Sequence, residues 1–216
     1  GTSTYSSNLF YYTSMIAPIY PIYVRTIDPE GNIRIATDQY GHKAYDYGVA
    51  ATGYGISRPF GQTGNPLGSN QYNKYENIGN QLNGTFTADI NITDYLKANV
   101  TSTVTWGENY VSNFQNMFYG SSAGTNGSIT KTMQNSMRTN NVQTLTYYDS
   151  FGLHNVNVMI GHEYYNVKSR YVGAMKNGMF SPAIPELDAA ASLSDASSYT
   201  TRYNVEGYFL SAQYDY

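Results

Sequence analysis

The residues whose types and spacing suggest chemistry begin with His162. The run His162-Glu163-Tyr164-Tyr165-Asn166 approaches HExxH, in which two imidazoles one helical turn apart hold zinc beside a glutamate base. Position 166 is Asn and the surrounding pattern is that of a strand, so the two-ligand geometry fails. His154 falls on the same face but roughly 26 Å away along a strand, too far to share a metal with His162. Gly53-Tyr54-Gly55-Ile56-Ser57-Arg58 starts like a dinucleotide-binding fingerprint, yet it lacks the third glycine and a strand–helix setting. Asp28, Glu30, Asp188 and Asp195 stand on loops with nothing to pair them. The expectation is a chain that is not an enzyme, with no catalytic residue, no metal and no cofactor.

The chemistry that remains is aromatic recognition. Phe114, Phe118 and Tyr119 fall in one segment, Val111–Gly127. Rings there can stack on sugar or peptide, because an aromatic face buries apolar area and Tyr adds a hydroxyl. Arg58 and Asn116 are the polar partners. These five are the candidate substrate-binding residues. Tyrosines at strand ends read instead as an interfacial girdle.

The elements that must position these residues are long strands. From His154 the chain alternates: Val156, Val158, Ile160, His162 and Tyr164 on one side, Asn155, Asn157, Met159, Gly161 and Glu163 on the other. Asp149-Ser150-Phe151-Gly152 reads as the tight turn before it. Asn77–Thr93 alternates equally well, and Lys97–Tyr110 returns after a short connection at Thr93-Asp94-Tyr95-Leu96. Ser128–Asp149 is a third strand, with Leu145 and Tyr147 on the apolar side. Thr200–Tyr216 is the last. Val111–Gly127 and Val172–Ser198 read as the longer connections at the opposite end. Near the start, Ser3–Ser14 reads as a strand, and Tyr23–Ile27 pairs with Ile33–Ile35 around the turn Asp28–Asn32. Gly48–Gly68, rich in Gly, Pro and Asn, reads as a long loop of the kind that is usually functional or disordered.

Composition agrees. Charged residues are 12% of 216, about half the usual share, and 24 residues are tyrosine. Mean hydropathy is −0.45 and the pI about 5.5. Such a chain suits β structure with one wet face. The net charge of −3, with no basic stripe, argues against nucleic acid as a partner. There are no cysteines, so neither disulfides nor thiolate metal sites. No apolar run is long enough for a transmembrane helix, which leaves barrel strands open. The expected fold class is all-β: a segment of a large antiparallel transmembrane β-barrel, with long extracellular loops and short periplasmic turns. Gly1 opens in a polar stretch and Tyr216 closes inside an alternating strand, so residues 1–216 are expected to be a fragment of a longer polypeptide.

Several short motifs, in order, carry a family resemblance. They are Phe151-Gly152-Leu153-His154-Asn155-Val156 through Gly161-His162-Glu163-Tyr164, then Pro185-Glu186-Leu187-Asp188-Ala189 with Leu193-Ser194-Asp195-Ala196, then Tyr208-Phe209 with Tyr214-Asp215-Tyr216. Together they resemble the barrel of the SusC/RagA family of TonB-dependent outer-membrane transporters, over most of residues 55–216. The resemblance implies a Gram-negative outer membrane and a barrel of roughly 22 strands around a plug. It also implies import of glycans or peptides, energy from the TonB–ExbB–ExbD complex, a SusD-like surface lipoprotein as partner, and contact with outer-membrane lipid. Neither the plug nor the TonB box is in these residues. The alternative is a secreted or surface β-rich module, a glycan binder or adhesin, which would need strands of about 5–6 residues.

Overall fold

The structure, a computed structural model, describes residues 14, 20–38, 40–48 and 65–216. Arg58, most of the strand expected over Ser3–Ser14, and residues 49–64 of the expected Gly48–Gly68 loop lie outside the described residues.

Among the described residues the fold is β throughout, apart from short helical stretches of which Pro66–Tyr72 is the longest. Strands β1 (Arg25–Ile27) and β2 (Ile33–Ile35) pair antiparallel, Arg25 opposite Ile35. Helix α1 (Pro66–Tyr72) follows. Then come β3 (Lys74–Thr93), β4 (Leu96–Gln115), β5 (Ser128–Phe151), β6 (His154–Met179) and β7 (Ala190–Asp215). They form one sheet in the order β3-β4-β5-β6-β7. Among the described residues, β3 and β7 have a neighbour on one side only.

The strands run to 20, 20, 24, 26 and 26 residues. At about 3.3 Å per residue the longest approach 85 Å, several times the length of an ordinary globular strand. The connections predicted as Val111–Gly127 and Val172–Ser198 are therefore shorter than expected. β4 continues to Gln115, β6 to Met179, and β7 starts at Ala190, leaving 116–127 and 180–189. Apolar alternation fades in those stretches, but a strand is held by its backbone ladder and does not need it.

At the other end the turns are tight. Asp94 and Tyr95 alone join β3 to β4, and the Tyr95 N–H donates to Thr93 Oγ1 at 3.3 Å. Gly152 and Leu153 alone join β5 to β6. The expected turn thus sits two residues further on than Asp149–Gly152. Gly152 has φ +69°, the conformation a hairpin turn asks of its first central residue and one that L side chains resist.

The described chain divides into two compact units. The sheet unit holds Asn77–Val111, Thr132–Gly173 and Ala196–Tyr216; the loop unit holds the described part of Gly1–Glu76, with Ser112–Lys131 and Ala174–Asp195.

Side-chain contacts fix the two faces of the sheet unit. Thr85 and Thr103 hydroxyls lie 3.2 Å apart, Thr87 and Thr101 3.4 Å, and Asn99 donates to Asp89 at 2.8 Å. These belong to the polar face. On the other, Ser102 donates to Asn141 at 2.7 Å and His162 Nδ1 meets Gln143 at 2.7 Å. Because successive side chains alternate, Leu82, Phe86, Ile90, Val100, Val104, Trp106, Leu145, Ile160 and Leu210 share that second face. The Ser102–Asn141 contact also sets the register of β5 and puts Leu145 and Tyr147 on the apolar side, as read. Among the described residues nothing covers this face: Leu82 and Leu210 are each 69% exposed and Phe86 65%. The polar face carries aromatics too. Tyr171 stacks on Tyr199 with centroids 5.0 Å apart, and the Phe209 ring lies so close over Gly161 that a Cβ there would collide with it.

Replacing Gly152 by Val is expected to destabilise the intact protein by about 1–2 kcal/mol, the cost of an L side chain in a left-handed conformation. Gly84→Ala, where an added Cβ meets nothing within 4 Å, is expected to cost nothing. Paired urea-unfolding curves check both; equal midpoints for the two variants would contradict the turn assignment.

Candidate ligand-binding site

The loop unit is built around tyrosines. Isolated bridges Tyr23↔Tyr45 and Thr37↔Lys43 extend the β1–β2 pairing. The β1–β2 turn is closed by Asp28, which accepts from the Asn32 N–H at 2.7 Å and from Arg34 Nε at 2.6 Å. The Asn32 amide, with Arg34, holds the Asp28 carboxyl below its usual range.

Helix α1 starts on Asn65-Pro66. The Asn65 side chain caps it by accepting from the Gly68 N–H at 3.3 Å, and proline stands in the first turn, where no N–H is needed. The same Asn65 amide donates to Ile22 O at 2.9 Å and Asp46 O at 3.2 Å, tying the helix to the preceding segment. Gly68 packs directly on Tyr45 and Tyr47; a Cβ there would stand 2.7 Å from the Tyr47 hydroxyl. Tyr45 donates to Gln71, and the Tyr47 hydroxyl meets Ser69 at 3.1 Å.

The segment after β4 closes over this helix. Tyr119 stacks on Tyr47 at 5.1 Å with planes 6° apart, and its hydroxyl donates to Asp38. Phe118 meets Tyr40, His42 and Tyr72 edge-on, at 4.6, 5.0 and 5.3 Å. Asn116 organises the turn: its Oδ1 accepts from the N–H groups of Phe118 and Tyr119, both at 2.8 Å, and its own amides donate to Asn73.

The sequence-predicted residues therefore separate. Phe118 and Tyr119 meet in one aromatic cluster with Tyr23, Tyr45, Tyr47 and Tyr72. Asn116, 1% exposed, supports them from below rather than facing solvent. Phe114 lies on β4, fully buried in a different cluster with Ile129, Met179 and Ala190. Arg58 is outside the described residues. The solvent-facing rim is Phe118 with Tyr40, His42 and Tyr72, and Tyr40 is 45% exposed. Tyr40, His42 and Tyr72 were missed in the sequence, where isolated aromatics outside any alternation give no sign of convergence. Helix α1, which starts within the stretch read as a loop and runs past it to Tyr72, was also missed, although Asn-Pro is a cap-and-start signal.

Charge in the cluster is concentrated at Asp38. Burial pushes its carboxyl up, but the Tyr119 hydroxyl, the amides of His42 and Tyr40 and the His42 imidazole outweigh this and hold it below the usual range. Burial and the Tyr23 hydroxyl push Tyr45 up to about 12. Burial, then the charge of Asp38, raises Tyr72. These phenols stay neutral at physiological pH, so the rim can offer apolar ring area and hydroxyl hydrogen bonds to a ligand.

Two other sequence signals resolve into structural roles. His162 bridges Gln143 and Glu206, with Nε2 2.9 Å from the Glu206 carboxylate, while His154 meets the Tyr214 hydroxyl at 2.6 Å. Among the described residues the two imidazoles share no hydrogen-bond partner. Gly120-Ser121-Ser122-Ala123-Gly124 spells GxSxG. It is no strand-to-helix elbow: Ser122 has ordinary φ −95°, precedes a one-turn 3₁₀ helix, and meets Ser128 Oγ at 3.1 Å.

No protein-family model matches the sequence. No curated protein matches it either. Solved structures do match. Chains of the RagAB peptide importer superpose in its "open-open" state with a TM-score of 0.65 and in its "closed-closed" state with 0.66, each at 18% identity. A further structure of the RagAB peptide transporter superposes at 0.65 and 16% identity. The likeness is one of fold. In each case it covers 74% of this chain and 18% of the neighbour, so residues 1–216 correspond to less than a fifth of those chains.

The Asp38 carboxyl titrates lower folded than unfolded. Its contribution is therefore complete above the ordinary carboxylate range and lost as pH falls through the lowered value. Near-ultraviolet circular dichroism of the tyrosine cluster is expected to fade across that acid window in the wild type. Asp38→Asn is expected to remove the transition; an unchanged acid limb in the variant would show that Tyr119 does not depend on Asp38.

Proposed function

We propose that this chain is part of the wall and outer loops of a SusC/RagA-like, TonB-dependent importer in a Gram-negative outer membrane. The observation that carries the reading is the exposed apolar face of the sheet unit. Burying a Leu, Ile or Phe side chain is worth about 1.5–3 kcal/mol, so a row of them left in water is costly. Hydrocarbon against that face removes the cost, and water in a lumen suits the threonines and asparagines opposite. Two-residue turns at one end and longer connections at the other match the periplasmic and extracellular ends of such barrels. The fold likeness to RagAB importer chains supports the same reading.

In this reading nothing is transformed chemically. The rim of Phe118, Tyr40, His42 and Tyr72 contributes to capture of a peptide or glycan, with ring faces stacking on the cargo and hydroxyls orienting it. A TonB–ExbB–ExbD complex supplies energy through a plug outside residues 1–216, and a SusD-like surface lipoprotein works with the outer loops. A secreted glycan-binding module is the weaker alternative, because strands of 20 to 26 residues exceed what a sandwich uses.

Leu82→Lys combined with Leu210→Lys is expected to cut recovery of the protein in the outer-membrane fraction severely, at about 2–4 kcal/mol per lysine at mid-depth. Thr85→Lys, on the polar face, is expected to insert normally. In cells with normal insertion, Phe118→Ala is expected to weaken uptake of labelled peptides or oligosaccharides several-fold. Wild-type protein found wholly in soluble fractions, or equal insertion of the two lysine variants, would overturn the reading.

A further inference from the structure

The apolar face changes character along β6 and β7. His162 and Glu206 come first, then Asn166 hydrogen-bonded to Asn204, then Lys168 and Arg202, then Arg170. Alternation places all of these on the side that carries Ile160 and Leu210. Arg170 and Arg202 are exposed, and the charges of both act on Lys168. Among the described residues no ion pair joins them to a carboxylate, although Glu108 of β4 shares this face by alternation. Along this face β6 offers Asn166 and Val172, β7 offers Ser198, Thr200 and Asn204, and β5 offers Met133, Asn135, Met137 and Thr139. Glu206 is engaged by His162 at 2.9 Å and by the Tyr208 hydroxyl at 2.8 Å, and Glu163 points to the opposite face.

Beside the cations the sheet forms a hollow of about 460 Å³, whose lining includes Arg170, Asn135, Ser198, Thr200, Met133 and Val172. One guanidinium, two hydroxyls and an amide face the same space as a thioether and a branched apolar side chain. Like charges held together repel, so a cluster left uncompensated is stabilised by an anion. Guanidinium groups bind phosphate bidentately, and lysine adds a point charge. Basic groups beside a hydrocarbon-facing surface are matched by phosphorylated lipid headgroups.

We propose that Lys168, Arg170 and Arg202 hold the phosphorylated headgroup of an outer-leaflet glycolipid, of the lipid A kind, against the outside of the sheet. The hollow takes the sugar through Ser198, Thr200 and Asn135, and its acyl chains run back along the apolar face toward Ile160 and Leu210. The assignment rests on the membrane reading above, since it requires this face to meet lipid.

The test uses the intact barrel chain, purified in detergent and titrated with bisphosphoryl lipid A under native mass spectrometry. Wild type is expected to bind bisphosphoryl lipid A at least tenfold more tightly than its dephosphorylated form. The triple variant Lys168→Gln, Arg170→Gln, Arg202→Gln is expected to lose that preference, and Lys168→Arg to keep it. Comparison of the two lipids on wild type needs no variant to fold. Equal affinity for both lipids overturns the site, and so does full competition by inorganic phosphate alone. Recovery of wild type in the outer-membrane fraction separates the two readings: inserted protein with no phosphate preference removes only the lipid site, whereas protein absent from the membrane removes both.

Discussion

The structure depends first on the inter-strand backbone ladder. Strands of 20 to 26 residues present one N–H and one C=O per residue, and each buried group left unpaired costs on the order of 1–3 kcal/mol. β4, β5 and β6 satisfy theirs on both sides within the described residues; β3 and β7 do so on one side. A strand of this length persists because its neighbour is equally long, and the tight turns at Asp94-Tyr95 and Gly152-Leu153 make it so. They start each pairing in register at one end and let it run.

The ladder then decides what the side chains can do. It forces alternation, and alternation sorts Thr85, Thr103 and Asp89 from Leu82, Val100 and Ile160 without further instruction. Several polar residues on the apolar side pair across strands. Ser102 meets Asn141, and Gln143, His162, Glu206 and Tyr208 form one hydrogen-bonded row. Pairing each of them across strands lowers the penalty of placing them on a face otherwise made of Leu, Ile, Val and Phe. The loop unit follows a different rule, with no shared period. Its order comes from rings packed on Gly68 and from Asn65 and Asn116, whose amides replace the missing ladder.

What was legible in the sequence follows from this difference. Long strands, the Asp94-Tyr95 turn, the β1–β2 hairpin and the two faces of the sheet were readable because period-2 alternation and turn residues are local signals. Strand ends were not. Phe114 and the stretch 172–179 belong to the ladder although their apolar pattern has faded, so Phe114 was placed in a loop and proves to be core. Convergence of Tyr40, His42 and Tyr72 on Phe118 had no local signal at all, because residues up to 78 positions apart meet there only through the bridges and helix α1. Asn65-Pro66 was a signal that the surrounding glycines concealed.

The unequal ends of the strands carry an evolutionary consequence. Closing a flexible loop costs free energy that grows only with the logarithm of its length, so doubling one adds about 0.6 kcal/mol. The connections 116–127 and 180–189 can therefore gain, lose or exchange segments at little expense to the fold. A two-residue turn has no such latitude, since one inserted residue would shift the register and swap the faces of a whole strand. Diversification is thus channelled to these connections, where segments can be inserted while the strands they join stay the same.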